Sequence, residues 1–216
     1  DWKGPAGEAI KSELASSVPG LPQAEPSLKI TYVQPKDFTG LLRYVRNILV
    51  VTIDPTAYTK VSVGYENNVW ARGQVVVSLK APNTESIVEY SKTHEKALVN
   101  FFVKVEMNRA IEQLQKEYSM VVMDNLKSDL NVMLNAPANF TYYKDTTDFF
   151  WSSNNANTGR MDLIVYTFPY TDPNTFTEEY LVAKRDSVLK ANLPGSFPGS
   201  YMQTETRAGV EYTPIT

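Results

Sequence analysis

The sequence has no cysteine and a single histidine in 216 residues. Without a thiol there is no disulfide framework, thiolate zinc site, iron–sulfur cluster or cysteine nucleophile. With one imidazole, every site that needs two or three histidines is excluded as well. Charge of one sign is also missing. The 21 basic residues stand against 24 acidic ones, a net charge of −3 and an isoelectric point near 5.3. That balance offers nucleic acid no basic footprint. No apolar run approaches the roughly 18 residues that span a bilayer as a helix. Glycine-rich phosphate cradles of the Gly-x-Gly-x-x-Gly or Walker type do not occur, nor does a Gly-x-Ser-x-Gly nucleophile elbow.

What is present is the composition of an ordinary folded domain: 43% hydrophobic, 21% charged and 12% aromatic residues. A chain of 24.3 kDa folds to a surface of about 10,000 Å², so a core that hides roughly 70% of the extended chain's surface is within reach. Hydrophobic periodicity then sets the elements. Residues 5–17 place Ala6, Ala9, Ile10 and Leu14 on one helical face, with Pro5 in the first turn and Val18-Pro19-Gly20 as the stop. Residues 27–33 alternate Leu28, Ile30 and Tyr32 with Lys29 and Thr31, which predicts a half-buried strand. A helical turn is expected over 37–45. The continuous β-branched run 47–53 predicts a central strand, and 60–65 and 74–79 alternate as two more.

From Asn83 to Asn131 the pattern predicts one long helical stretch, capped by Asn83 or Thr84 and broken near Ser119. Ile87, His94, Leu98, Phe101, Phe102 and Val105 share one side of it, whereas Met107, Ile111, Leu114 and Tyr118 lie near the opposite side. The stripe therefore switches around Glu106, which predicts a bend or a change of packing neighbours. Further strands are expected over 132–134, 140–143, 149–152, 161–168 and 201–206, with strand-type Val210, Tyr212 and Ile215 following. A helix over 176–191 opens on the capping-box pattern Thr175-Phe176-Thr177-Glu178 and stops at Asn192-Leu193-Pro194-Gly195. The reading is one α+β domain over 1–216: a mixed, largely antiparallel sheet packed against one long helix and two or three shorter ones.

These residues assemble no catalytic set, cofactor cradle or metal site. His94 falls on the apolar stripe, where an imidazole is expected buried or at the rim with its ring satisfied, not acting as a base. Asp172-Pro173-Asn174 and the asparagine-rich loop 154–157 supply oxygens without calcium-loop spacing. Glu106 and Arg109, three residues apart at the stripe switch, read either as a polar pair lining a cleft or as a local ion pair worth a few tenths of a kcal/mol. Trp70, and the hairpin holding Tyr142, Tyr143, Phe149, Phe150 and Trp151, offer rings that stack a sugar or anchor a protein. Alternation turns half of the hairpin rings into the core. The ligand-contact candidates are Glu106, Arg109, Trp70, Trp151 and Tyr143.

Seven segments taken together resemble a known family. They are Trp2-Lys3-Gly4-Pro5-Ala6-Gly7, Leu21-Pro22-Gln23-Ala24-Glu25-Pro26, Val45-Arg46-Asn47-Ile48-Leu49, Val69-Trp70-Ala71-Arg72-Gly73-Gln74, Asp148-Phe149-Phe150-Trp151, Lys184-Arg185-Asp186-Ser187 and Gly199-Ser200-Tyr201-Met202. As a set, spread over nearly the whole chain, they are similar to a Bacteroidetes cell-envelope family, domain of unknown function 4837. The resemblance implies an exported protein of the periplasm or outer membrane, commonly a lipoprotein, with further sequence beyond Asp1 and Thr216. It implies no chemistry. Two functions follow as expectations. One is a non-catalytic binding or scaffold module of an outer-membrane or periplasmic assembly. Its partners would be other envelope proteins, and membrane association would run only through a lipid anchor outside this chain. The other is a glycan-binding or glycan-cleaving protein using the aromatic hairpin and paired carboxylates. The first predicts an exposed apolar patch of several hundred Å². The second requires Trp151 or Trp70 in a cleft beside two carboxylates. Neither calls for a cofactor or nucleic acid.

Overall fold

The computed structural model describes residues 2–207, 209 and 210. The chain is α+β and falls into two compact units, Asp1–Asn108 and Arg109–Thr216. The strands form two three-stranded sheets, one in each unit.

In the first unit, β1 (Asn47–Ile53), β2 (Ser62–Asn67) and β3 (Val75–Ala81) lie in the order β1-β3-β2, with β1 parallel and β2 antiparallel to β3. The β-branched run expected at the centre of a sheet is thus an edge strand, and β3 takes the middle. The hairpin places β3 against β2, and β1 pairs on its free side. Val75, Val77, Leu79 and Ala81 point from β3 into one core with Ala6, Ile10 and Leu14 of α1 (Pro5–Leu14). Ile87 of α2 (Thr84–Thr93) and Leu98 and Phe102 of α3 (Ala97–Lys116) complete it. Asn83 caps α2, its Oδ1 accepting the Ser86 N–H at 2.9 Å. Residues 27–33 form no strand. Leu28 and Ile30 still pack partly buried on the core, but Pro19, Pro22 and Pro26 break up the segment before them, and only a Ser17–Pro26 bridge forms there.

The long helical stretch has a second break besides the expected one near Ser119. His94 ends α2, its N–H reaching the Tyr90 carbonyl, and Lys96 turns the chain through left-handed backbone (φ 61°) before α3 begins. His94 leaves the stripe for this reason: at the helix end its ring is exposed and stacks on Tyr90, centroids 4.2 Å apart. No break occurs at Glu106, where α3 is continuous. Past the switch, Met107 and Ile111 are exposed.

In the second unit, β4 (Tyr142–Thr146), β5 (Phe149–Ser153) and β6 (Asp162–Tyr166) form an antiparallel meander. Side chains paired across neighbouring strands share a face. Asp145 pairs with Phe150 and Phe150 with Val165, whereas Lys144 pairs with Trp151 and Trp151 with Ile164. The Phe150 face packs on Val122 and Leu126 of α4 (Met120–Leu130), together with Ala136 and Phe140. The Trp151 face meets the end of α5 (Glu178–Asn192), where the Lys144 ammonium donates to the Asn192 carbonyl at 2.8 Å. Ser119 starts α4: its buried hydroxyl donates to the Phe140 carbonyl at 2.6 Å and accepts the Val122 N–H.

Thr177, not Thr175, caps α5, because Thr175 is buried in a short 3-10 turn over Pro173–Phe176. Residues 132–134 run without a strand partner. Over 201–206 only Tyr201 bridges, to Pro194. Thr204 is taken instead by the Asp186 carboxylate, which accepts from its N–H at 2.9 Å and its hydroxyl at 2.7 Å. Val210 forms no strand, and Tyr212 and Ile215 lie outside the described residues.

Candidate functional site

The strand alternation that sends Phe150 into the second unit's core sends Trp151 the other way, into a groove of about 420 Å³. Ile164, Leu193, Pro194 and Met202 give the groove apolar walls, and Arg160 and Asp162 give it a charged rim. The volume lies in the range of small-molecule and side-chain pockets. Trp151 is half-buried, and its indole Nε1 donates to Asp162 Oδ1 at 2.9 Å. Arg160 grips the same carboxylate through Nε and a terminal nitrogen, at 3.1–3.2 Å, and its guanidinium sits 5.9 Å from the indole centroid. The three groups fix one another. The Asp162 carboxylate accepts from both the indole and the guanidinium fork, which fixes its orientation at the rim of the groove.

The chain's paired carboxylates are elsewhere. Asp145 of β4 meets Asp129 at the end of α4 on the Phe150 face, opposite the Trp151 groove. Burial raises the Asp145 pKa, with its neighbour Asp129 adding to the effect. The Ser128 hydroxyl, and after it the hydrogen bond to Asp145, lower that of Asp129. Tyr143 lies two residues before Asp145 on this face, exposed and stacked on Phe150 at 6.4 Å. The aromatic hairpin thus separates its candidates: Trp151 lines the groove, and Tyr143 stands beside the acidic pair on the other face.

The first unit holds Trp70, Glu106 and a group the sequence reading missed. Gln74, only 1% exposed, donates its amide to the carbonyls of Arg43 and Val45, each at 2.6 Å, and accepts the Trp70 N–H at 3.0 Å. One buried amide therefore ties a 3-10 turn, Gly40–Tyr44, to the β2–β3 loop. Phe38 packs edge-on to Trp70 at 5.6 Å across the same junction. Glu106 closes the near end of β1, accepting from Asn47 and pairing with Arg46 at 3.1 Å. Arg109, one turn further along α3, is half-buried. Neither residue lines the Trp151 groove. Two signals for the missed residues were available. Gln74 is a lone amide at the head of a valine run, and Arg160 and Asp162 sit two apart, on one side of a strand start.

The architecture is that of an α+β chain of two small units, each with its own core. The chain belongs to the family of domain of unknown function DUF8532, whose model matches residues 1–115. Residues 119–216 belong to domain of unknown function DUF4837. The resemblance read from sequence therefore holds for the last three of its seven segments, and the first four fall under DUF8532. The two matches meet at the junction between α3 and α4. No curated protein and no solved structure matches the chain.

Proposed function

We propose that this chain is an exported cell-envelope protein acting as a non-catalytic binding or scaffold module for other envelope proteins. The observation that carries the reading is β2. All six of its residues are exposed, at the edge of the sheet. On its core-facing side Tyr65 meets only Phe101 of α3, at 5.0 Å, and stays largely exposed, as do Val63 and, across the sheet on β1, Val51 and Ile53. An edge strand with open backbone and apolar neighbours is a template for strand addition by a partner. The envelope part of the reading rests on the segments shared with DUF4837. A photo-crosslinking residue in place of Val63, in the native host, should give a discrete protein adduct in the envelope fraction. The same residue at exposed Lys104 should give none. No adduct at Val63, or a cytosolic protein, would overturn the proposal.

A specific observation favours glycan binding as a second reading: the Trp151 groove sets an aromatic ring beside an Arg160–Asp162 fork. Cleavage needs two carboxylates flanking one bond, and the described groove lining has Asp162 alone. Quenching of tryptophan emission by oligosaccharides, lost in Trp151→Phe, would support this reading. Unchanged emission across envelope glycans would sink it.

A further inference from the structure

The Gln74 junction displays something the binding reading does not use. The 3-10 turn that it clamps carries exposed apolar side chains. Leu41 is 86% exposed and Tyr44 61%, with Leu42, Val45, Val69 and Trp70 exposed around them. A leucine left this open normally folds back onto its neighbours. Here backbone pairing prevents it: the amide of Gln74 holds the carbonyls on either side of Tyr44, Val75 N–H holds the Arg46 carbonyl at 2.8 Å, and Gly40 takes the left-handed conformation (φ 54°) that starts the turn. The turn is therefore presented rigidly, which lowers the ordering cost of insertion.

Its rim is basic. Lys36, Arg43, Arg46 and Arg72 lie in the two segments that form the junction, against Asp37 alone, on a chain whose net charge is −3. Arg46 is engaged by Glu106, which leaves Lys36, Arg43 and Arg72 as the exposed cations beside the turn. Exposed aliphatic side chains with tyrosine, tryptophan and basic residues in the same segments are the residue types of a membrane interface.

We propose that the Leu41–Leu42 turn, with Tyr44 and Trp70 at headgroup depth, inserts into the surface of an anionic lipid bilayer. This contact belongs to the folded chain itself, and so departs from the expectation that membrane association runs only through an anchor outside it. Sedimentation of the full, unlipidated chain with vesicles tests it directly. Binding is expected to phosphatidylglycerol–phosphatidylcholine vesicles, weakening with salt, and little to phosphatidylcholine alone. Leu41→Asp with Leu42→Asp should weaken it by roughly tenfold or more. Arg43→Gln and Arg72→Gln should each weaken it by roughly fivefold. Vesicles should shift tryptophan emission to the blue in the parent but not in Trp70→Phe. Unchanged circular dichroism in the variants separates lost insertion from lost folding. Three results would overturn the proposal: no binding to anionic vesicles, equal binding by the aspartate variant, or a protein partner lost from that variant while vesicle binding persists at parent strength.

Discussion

Both units start from a three-stranded sheet, too small to bury itself, and they complete it differently. The second unit covers both faces, with α4 against Phe150 and the end of α5 against the Trp151 side. The first unit sends α1, α2 and α3 to the face that carries Val75, Val77, Leu79 and Ala81. On the opposite face Ile48 and Val76 are buried, but the Ser62, Gly64, Ser78 and Lys80 end stays open as a shallow depression of about 170 Å³. Their buried polar groups differ in the same sense. In the second unit Ser119 caps a helix and ties it to a nearby carbonyl. In the first, Gln74 holds together loops whose side chains face outward. One unit spends its interactions on closing a core, and the other spends them on displaying surface.

The largest expected effect tests the closed unit. Phe150 is 1% exposed at the centre of its core, and Phe150→Ala is expected to cost about 3–5 kcal/mol in denaturant unfolding. Amide exchange should quicken most in β5 and α4. A cost under about 1 kcal/mol would mean that the second unit is as loosely closed as the first, and the contrast would fail.

Next in size is the display device itself. Gln74→Leu keeps the volume but strips bonding partners from two carbonyls and one N–H. Each group left buried and unpaired costs about 1–3 kcal/mol, and part is recovered because the loops lie near water. A net loss of about 2–3 kcal/mol is expected, with faster exchange at the Trp70 and Val75 amides. Loss of those protections without loss of the β1–β3 ladder would sharpen the comparison, because it would separate the displayed loops from the sheet that carries them.

How much of this was legible in the sequence follows from what periodicity encodes. Alternation and apolar runs located all six strands to within a few residues, because burial on one face repeats every second residue. They could not rank β1 and β3: the continuous run 47–53 points to the central strand and the alternation of 74–79 to a flanking one, but sheet order depends on pairing between distant segments, which puts β3 in the middle. Residues 27–33 and 201–206 carry strand patterns but find no ladder: Leu28 and Ile30 are partly buried without pairing, and Thr204 is claimed by Asp186. The break at Lys96 was hidden because lysine gives no hint of left-handed backbone, unlike glycine or asparagine. For the sites, Trp151 and Trp70 were visible as aromatics. The groups that position them left only faint marks, Gln74 as a lone amide before a valine run and Asp162 two residues after Arg160, because a positioning polar residue is recognisable only once its partners are known.

The smallest expected effect lies on the hinge of the open unit's core and decides between two opposing terms. Glu13 of α1 reaches the start of α3, where its Oε1 accepts the Leu98 N–H at 2.7 Å. A carboxylate at a helix N-terminus is favoured by the dipole and by that bond. Against this, Glu13 Oε2 and the Ser91 hydroxyl are buried without a hydrogen-bond partner. Burial is the larger influence and raises the Glu13 pKa above its ordinary value of 4.5, with the Leu98 bond and the charge of His94 pulling it back. A carboxyl whose pKa rises on folding favours the folded state when protonated. Its contribution is full below the unfolded value and disappears as pH climbs through the folded one. At neutral pH the parent therefore carries a penalty that Glu13→Gln lacks. The amide oxygen still accepts from Leu98, and the new N–H₂ group can donate to Ser91. The variant is expected to be the more stable at pH 7, by under about 1 kcal/mol because the site is partly exposed, with the gap closing towards pH 4. Thermal melts across that range decide it. A variant less stable than the parent at pH 7 would show that the helix terminus outweighs burial, and that Glu13 fastens α1 to α3 by its charge.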